Sequence, residues 1–147
     1  MEKVTIKFKK LNDKAQIPTQ GSTFAAGYDL YALLDAPIDI APSDTVLVKT
    51  GLALEIPEGY WGGIFARSGL AIHQGLRPAN CVGVIDSDYR GEVAVAVHND
   101  CATAARTIEP NERIAQFILI PQVGIDFIEN ELSETERADG GFGSTGK

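Results

Sequence analysis

The sequence contains few cysteines and few histidines. Its 147 residues include two of each, namely Cys81, Cys101, His73 and His98. No C-x-x-C pair is present, and these four side chains do not supply the usual ligands of a closed zinc site. We therefore expect both cysteines to be reduced thiols buried in the core of a cytoplasmic protein.

Long hydrophobic runs and clusters of basic residues are also missing. No stretch is apolar over the length needed to cross a bilayer, and charged residues interrupt the first ten positions, unlike a signal peptide. The formal net charge is -7 and the isoelectric point is near 4.7. A net-negative surface without a basic patch repels polyanions, so we expect no nucleic-acid partner and no membrane partner.

What the sequence does contain is short segments in which apolar and polar residues alternate. Such alternation occurs at 4–8, 52–56 and 93–97 and is typical of half-buried β-strands. Proline and glycine separate these segments at regular spacing. We predict one all-β domain over residues 1–147, a jelly-roll-like barrel or sandwich with at most one short helix, at 69–74.

Two segments near the carboxyl end point to assembly. Residues 113–120 are apolar on both faces except at Gln116, which predicts a strand covered on both sides, with another subunit as one possible cover. The last apolar element ends near Ile128. Residues 129–147 are polar and glycine-rich and cannot anchor themselves, so we expect a flexible arm, either disordered or closing over a neighbouring subunit.

One turn carries an unusual set of functional groups. Residues 83–91 read Gly-Val-Ile-Asp-Ser-Asp-Tyr-Arg-Gly, so that Asp86, Asp88, Tyr89 and Arg90 lie close together between two apolar runs. A hairpin needs only glycine, asparagine or aspartate at its bend. These residues therefore indicate either a site on a rigid β scaffold or a polar turn whose charges face water.

The final residues resemble phosphate-binding motifs. Residues 141–147 match most of a Walker A pattern and also contain G-x-G-x-x-G. Both motifs require a helix after the loop, and the sequence ends at Lys147. Glycine backbone and the Ser144 and Thr145 hydroxyls still favour a phosphate-binding flap, in which Phe142 would stack on a flat group such as a base.

Three further segments each place one charged or amide side chain among small or apolar residues. They are Ala26-Gly-Tyr-Asp-Leu-Tyr-Ala32, Arg67-Ser-Gly-Leu-Ala71 and Arg113-Ile-Ala-Gln116. Together with the 83–91 turn and the carboxyl-terminal segment, and in this order, they resemble the five motifs of the homotrimeric dUTPases, enzymes that hydrolyse dUTP. The resemblance extends from about Thr23 to Lys147.

The resemblance implies a role for each matching residue in the chemical step. Asp86 would be the general base that activates water for attack on the α-phosphorus of dUTP, giving dUMP and pyrophosphate. Asp29 would hold Mg²⁺ through water, in keeping with the tendency of that ion to retain its hydration shell. The residues implied in phosphate binding are Arg67, Ser68, Gly69, Gln116, Arg137, Gly143, Ser144 and Thr145.

The resemblance also implies how the nucleotide is selected. Tyr89 would pack against deoxyribose and exclude a ribose 2′-hydroxyl. Uracil would be read by Asn80 and by the backbone of Gly83, Val84 and Ile85, with Phe142 closing over the base. The family assembles as a trimer with sites at the subunit interfaces, and its carboxyl-terminal arm closes the site of a neighbour.

Two rival interpretations remain open. The dCTP deaminases are similar in fold, but they need a glutamate five residues after the glycine of the turn, and from Gly91 that position is Ala96. A non-catalytic nucleotide sensor could be built on the same scaffold. Release of pyrophosphate from dUTP would separate hydrolysis from both.

Overall fold

The computed structural model describes residues 3–141, which form short strands and one helix. The strands are β1 (Lys7–Lys10), β2 (Thr19–Gln20), β3 (Tyr28–Tyr31), β4 (Ile38–Ile40), β5 (Thr45–Glu55), β6 (Tyr60–Phe65), β7 (Leu76–Pro78), β8 (Gly83–Ile85), β9 (Glu92–Asn99), β10 (Arg106–Ile108) and β11 (Arg113–Pro121). The helix α1 covers Ser68–Gln74.

These strands form two main sheets and a small ribbon. Sheet A has the order β1-β5-β9-β7, sheet B has the order β2-β3-β11-β6-β8, and β10 pairs with β4. All described pairings are antiparallel. Neighbours in a sheet are mostly distant in sequence, as in Greek-key and jelly-roll connections. The predicted all-β, jelly-roll-like fold with one short helix is therefore confirmed.

The core lies between the sheets and is built from alternate strand residues. Sheet A contributes Val48, Val95 and Val97, which are buried, whereas their neighbours along the strands are more accessible. Sheet B contributes residues such as Ile114 and Phe117 to the same cluster. The two-residue period read from the sequence at 93–97 is thus the burial period of β9.

The predicted element bounds differ from the observed ones in two places. The helix begins one residue earlier than expected, and it ends at Gln74 as expected, where Gly75, with a left-handed φ of 67°, caps it by donating its N–H to the Ala71 carbonyl. The alternation at 4–8 forms a strand only from Lys7, the first residue paired with β5. The alternation of apolar and polar residues does not by itself show at which residue pairing with another strand begins.

The prediction that both cysteines lie in the core is wrong. Cys81 is exposed and Cys101 is half-buried, and both are free thiols. Both occur in loops that follow strands of sheet A. In such loops the course of the turn, and not packing in the core, decides how exposed a side chain is.

The chain leaves the sandwich earlier than the sequence indicated. Residues 122–141 form no strand, and all but the last two are exposed. Val123, Ile125, Phe127, Ile128 and Leu132 are between 70% and 94% exposed. The apolar residues at 123–128 belong to the arm, because the last strand ends at Pro121. Within residues 3–141, no helix has the length and apolar character needed to span a membrane.

Candidate functional site

The 79–91 segment lies where the chain passes twice between the sheets. It leaves β7 in sheet A, forms β8 at the edge of sheet B, and returns to sheet A as β9. Side chains on this segment are therefore held by strands at both ends. This is a rigid support for residues that must contact a ligand.

Six of the seven residues predicted to contact the base and sugar, or to carry out the chemistry beside them, border one cavity, and the seventh, Phe142, lies outside the described residues. The volume of this cavity is about 340 Å³, which suits part of a small ligand. The six residues are Asn80, Gly83, Val84, Ile85, Asp86 and Tyr89, and Leu47 and Ala94 of sheet A form part of the opposite wall. The backbone of β8 is thus accessible to a planar group in the cavity.

Tyr89 is fixed across the turn by its own hydroxyl. That hydroxyl donates to the Glu92 carbonyl at 3.1 Å, and the ring covers Gly91 so closely that a Cβ there would overlap it. The ring remains 46% exposed. Glycine at 91 therefore permits an aromatic face to be presented to the cavity in one orientation.

Asp86 lies between two cavities. It borders the one just described and a second, of about 640 Å³, whose lining includes Glu58, Asp88 and Arg90. Arg90 folds back and donates to the Ser87 carbonyl at 2.6 Å and to the Tyr89 carbonyl at 3.0 Å. Because Arg90 is occupied with the turn backbone, the exposed Asp86 carboxylate faces open space on either side.

A second cluster joins strands β3 and β11 to the start of α1. Arg67 Nε donates to Asp29 Oδ1 at 2.7 Å, and Arg113 Nη1 donates to Asp29 Oδ2 at 3.2 Å. Arg67 Nη1 also donates to the Arg113 carbonyl at 3.1 Å. The Asp29 side chain is 13% exposed and that of Arg67 is 25% exposed. Two guanidiniums against one carboxylate leave a net positive charge, suited to an anion.

Gln116 supports the same cluster from β11. Its Nε2 donates to the Ala66 carbonyl at 2.8 Å, so that the residue preceding Arg67 is tied to the sheet. A Cβ at Gly27 would overlap the Gln116 amide, which makes glycine necessary beside it. Ser68 and Gly69 are exposed at the beginning of α1. The amide of Gln116, the polar exception in residues 113–120, is therefore paired with a backbone carbonyl.

Arg113 was missed as a site residue in the sequence analysis. It lies at the start of the Arg113-Ile-Ala-Gln116 segment, which was singled out for Gln116. A register shift between Arg113 and Ala115 in the pairing with β3 accompanies its approach to Asp29. Irregularities of this kind commonly redirect a side chain near a site, and the sequence carries no sign of this one.

Asp86 and Arg67 lie at opposite ends of β6, although the pocket bordered by Asn80 and Gly83 reaches Ile64, near the Arg67 end. Gly83 pairs with Ile64 and Ile85 pairs with Gly62, so the next residue, Asp86, falls opposite Trp61. Trp61 precedes Arg67 by six residues, a separation of about 20 Å at about 3.3 Å per residue. Neither cavity bordered by Asp86 is lined by Arg67, Ser68, Gly69 or Gln116. Within residues 3–141, one chain therefore does not bring Asp86 together with Arg67, Ser68, Gly69 and Gln116.

The predicted carboxyl-terminal contacts are described only in part. Arg137 is exposed, and its Nε donates to the Gly140 carbonyl at 2.8 Å within a short turn. Phe142, Gly143, Ser144 and Thr145 lie outside the described residues. Their predicted roles stay predictions.

The donor set around Asp29 fits Mg²⁺ held through water. No group of three or more His, Cys, Asp or Glu side chains within residues 3–141 is arranged to enclose a metal. Each Asp29 oxygen already accepts one guanidinium hydrogen bond and keeps a lone pair that can accept another from water. Direct coordination would compete with both arginines for the carboxylate oxygens, whereas a hydrated ion would use the remaining lone pairs and, beside two guanidiniums, would need the negative charge of the phosphates to be held there.

Fold and site together define an all-β protein with a small pocket for a planar group and a separate cationic cluster for an anion. Comparison with known proteins identifies the class. The dUTPase family model matches residues 13–146. Because this match covers most of the chain, the chain belongs to the dUTPase family, and the resemblance seen in the sequence is confirmed.

Individual relatives agree with this assignment. The chain is 48% identical over 143 residues to the deoxyuridine 5'-triphosphate nucleotidohydrolase of Nautilia profundicola, covering 97% of this chain and 99% of that protein. It is 43% identical to the protein of the same name from Syntrophotalea carbinolica, with 99% of each covered. The solved structure of the Staphylococcus bacteriophage 80alpha dUTPase with dUPNHPP is similar at a TM-score of 0.84 and 27% identity, covering 97% of this chain and 99% of that one.

Proposed function

We propose that this chain hydrolyses dUTP with Asp86 as the general base. As a dUTPase it converts dUTP to dUMP and pyrophosphate. The observation that carries the assignment of the base is the position of Asp86, exposed between two cavities beside the pocket for base and sugar. Its carboxylate orients a water molecule against the α-phosphorus and accepts a proton as the water attacks. A positioned base contributes about 10² to 10⁴ in rate.

The pocket for base and sugar provides selectivity. The exposed edge of β8 offers backbone donors and acceptors from Gly83 to Ile85 to a pyrimidine, and Asn80 adds an amide. Mismatched hydrogen bonds with cytosine leave buried polar groups unpaired, which gives strong rejection. The Tyr89 ring, fixed over Gly91, fills the space that a ribose 2′-hydroxyl needs.

The active site is shared between subunits of a homotrimer. Support comes from the separation of about 20 Å between the positions of Asp86 and Arg67 along β6, calculated from about 3.3 Å per residue. A triphosphate whose α-phosphorus lies at Asp86 cannot also reach Arg67 and Gln116 of the same chain. A second copy supplies these phosphate ligands, and each site is then complete only in the assembly.

The arm gives a second argument for assembly. Val123, Ile125 and Phe127 alternate with polar or small residues, as in a strand, yet all three are at least 70% exposed. Such a segment buries its apolar side by pairing with another copy. The arm then brings Arg137 and the residues from Phe142 to Thr145 to a site on a neighbour, where they bind the γ-phosphate and cover the base.

Mg²⁺ is the proposed cofactor, held by Asp29 through water. When bound, it would offset part of the triphosphate charge, which a protein of net charge -7 otherwise repels. Arg67 and Arg113 stabilise the charge on the phosphates. We also propose a cytoplasmic location, because Cys81 and Cys101 are both free thiols, as in a reducing compartment.

Product analysis tests the function. The protein is incubated with dUTP, dCTP or UTP in the presence of Mg²⁺, and pyrophosphate and ammonia are measured. Pyrophosphate from dUTP alone is expected. Ammonia from dCTP would instead indicate a deaminase, and tight binding of dUTP without product would indicate a sensor.

The role of Asp86 is tested with Asp86→Asn, which keeps the shape of the side chain and removes the base. The expected loss of kcat is about 10² to 10⁴, with affinity for a non-hydrolysable dUTP analogue nearly unchanged. Asp88→Asn, on the same turn, is the matched control. Turnover like that of the wild type in the Asp86 variant would rule out the proposed base.

A further inference from the structure

Arg77 connects the end of β9 to the turn that carries Asn80. Its Nε donates to Asp100 Oδ2 at 2.7 Å and its Nη2 to Asp100 Oδ1 at 2.9 Å, a two-point contact with one carboxylate. Its Nη1 donates to the Pro78 carbonyl at 3.1 Å and contacts Cys81 Sγ at 4.0 Å. One planar guanidinium thus bridges two segments in a fixed geometry.

The turn at 78–82 needs such support. Cys81 has a φ of 63°, in the left-handed region that costs free energy for a residue other than glycine. Cys81 N donates to the Pro78 carbonyl at 3.1 Å, the same acceptor that Arg77 uses. The Asn80 carbonyl accepts from Val82 N at 2.6 Å. The orientation of Asn80 therefore depends on a strained turn closed at Pro78.

Asp100 is a firm point of attachment. Asp100 N donates to the Gly75 carbonyl at 2.8 Å. The preceding residue, Asn99, is completely buried, and its Nδ2 donates to the carbonyls of Ile40, Ala41 and Ala104. The Asp100 side chain also lies 3.5 Å from His98 Nε2. The Asp100 carboxylate thus extends from backbone that is bonded to several parts of the core.

Hydrogen bonding to Asp100 raises the pKa of Arg77 above its usual value. The Arg77 guanidinium therefore keeps its charge beside this carboxylate. Neither residue borders the cavity that contains Asp86. Any effect of the pair on the nucleotide must pass through the turn.

We propose that Arg77 and Asp100 are positioning residues that hold the Asn80 turn in the conformation that reads the pyrimidine base. This inference rests on the proposed function, in which Asn80 contacts uracil. Loss of the pair lets the turn relax, so that ground-state binding of the base weakens while Asp86 and the phosphate ligands are unaffected. Loss of the pair should therefore change KM and base selectivity and leave kcat nearly unchanged.

The test compares Arg77→Ala, Arg77→Lys and Asp100→Asn with the wild-type protein. For Arg77→Ala we expect KM for dUTP to rise about threefold to tenfold with kcat within about twofold, and the preference for dUTP over dCTP to fall. Arg77→Lys, which can offer one point of contact instead of a fork, gives an intermediate value. Lys14→Ala, which removes the exposed pair with Asp35, is the control and leaves both parameters unchanged.

A double-mutant cycle with Asn80→Ala separates positioning from general stability. If Arg77 acts through Asn80, the double variant has nearly the KM of Asn80→Ala alone. Additive effects, an unchanged KM in Arg77→Ala, or a fall in kcat with KM unchanged would each overturn the proposal. If Arg77→Ala fails to fold by circular dichroism, Asp100→Asn takes its place in the cycle. Wild-type turnover of dUTP, measured in parallel, tests the function separately.

Discussion

Asp29 Oδ1 accepts a hydrogen bond from Arg67 Nε at 2.7 Å, and the carboxylate holds Arg113 on its other oxygen. The carboxylate proposed to attract the metal and the guanidinium proposed to bind phosphate are thus partners. Binding of a metal-bound triphosphate must share or exchange these contacts. Asp29 therefore controls where both arginines point.

Asp29→Asn removes the charge on which both arginines depend. We expect the Mg²⁺ concentration for half-maximal turnover to rise about tenfold, equivalent to about 1.4 kcal/mol. The free energy of unfolding should fall by about 1 to 3 kcal/mol, because a half-buried guanidinium loses its acceptor. Metal titration of turnover and urea unfolding at a fixed protein concentration measure the two effects. Asp35→Asn, in an exposed ion pair with Lys14, serves as the control, and an unchanged metal requirement in Asp29→Asn would contradict the role.

Subunit mixing tests the shared site. Arg67→Ala and Asp86→Asn should each be inactive alone, but subunits exchanged at equal amounts should regain about one quarter of wild-type activity, since half of the sites receive an intact Asp86 and half of those an intact Arg67. Pyrophosphate release after refolding of the mixture provides the measurement. If both residues acted in the same chain, no mixture would recover activity.

A chain ending at Asp139 lacks the proposed phosphate flap. We expect kcat/KM for dUTP to fall by about 10² or more, because the γ-phosphate and the base lose their cover and the substrate is held less well. The melting temperature should be unchanged, since all described strands and the core cluster lie before residue 122 and are retained. Steady-state kinetics and thermal unfolding of the truncated and the full-length chain measure the two effects. An unaltered kcat/KM would refute the proposed flap.

Tyr89 offers a matched pair of substitutions. Tyr89→Ala removes the ring that covers Gly91, and we expect the preference for dUTP over UTP to fall by about 10-fold to 100-fold. Tyr89→Phe loses only the 3.1 Å bond to the Glu92 carbonyl and should keep most of that preference. Competition between the two nucleotides gives the ratio. Equal loss in both variants would assign selectivity to the hydroxyl instead of the ring.

Much of the fold could be predicted from local pattern. The alternation at 93–97 identifies β9, and the glycine at 75 marks the end of α1. These features depend on neighbours in the sequence, so period and turn chemistry are sufficient. The prediction that Cys81 is buried was wrong, because the exposure of a loop residue depends on where the turn lies on the sandwich.

That Asn80 and Tyr89 border the same cavity could also be expected from sequence, because both lie in one short segment of the chain. The contact of Arg113 with Asp29 could not, since it joins residues 84 positions apart and depends on a register shift in β11. The same holds for Arg77, whose partner Asp100 lies 23 positions away. Long-range side-chain pairs follow from strand register, which a single sequence does not specify.

The sequence by itself determined the kind of protein: alternating strands, an acidic turn and ordered motifs carry the class of fold and the identity of the chemical groups. Only the tertiary structure decided how far apart those groups lie within one chain. The antiparallel pairing of β6 with β8 directs Asp86 away from Arg67, because each step along one strand is a step in the opposite direction along its partner. In the proposed trimer, a second copy then supplies the phosphate ligands of each site.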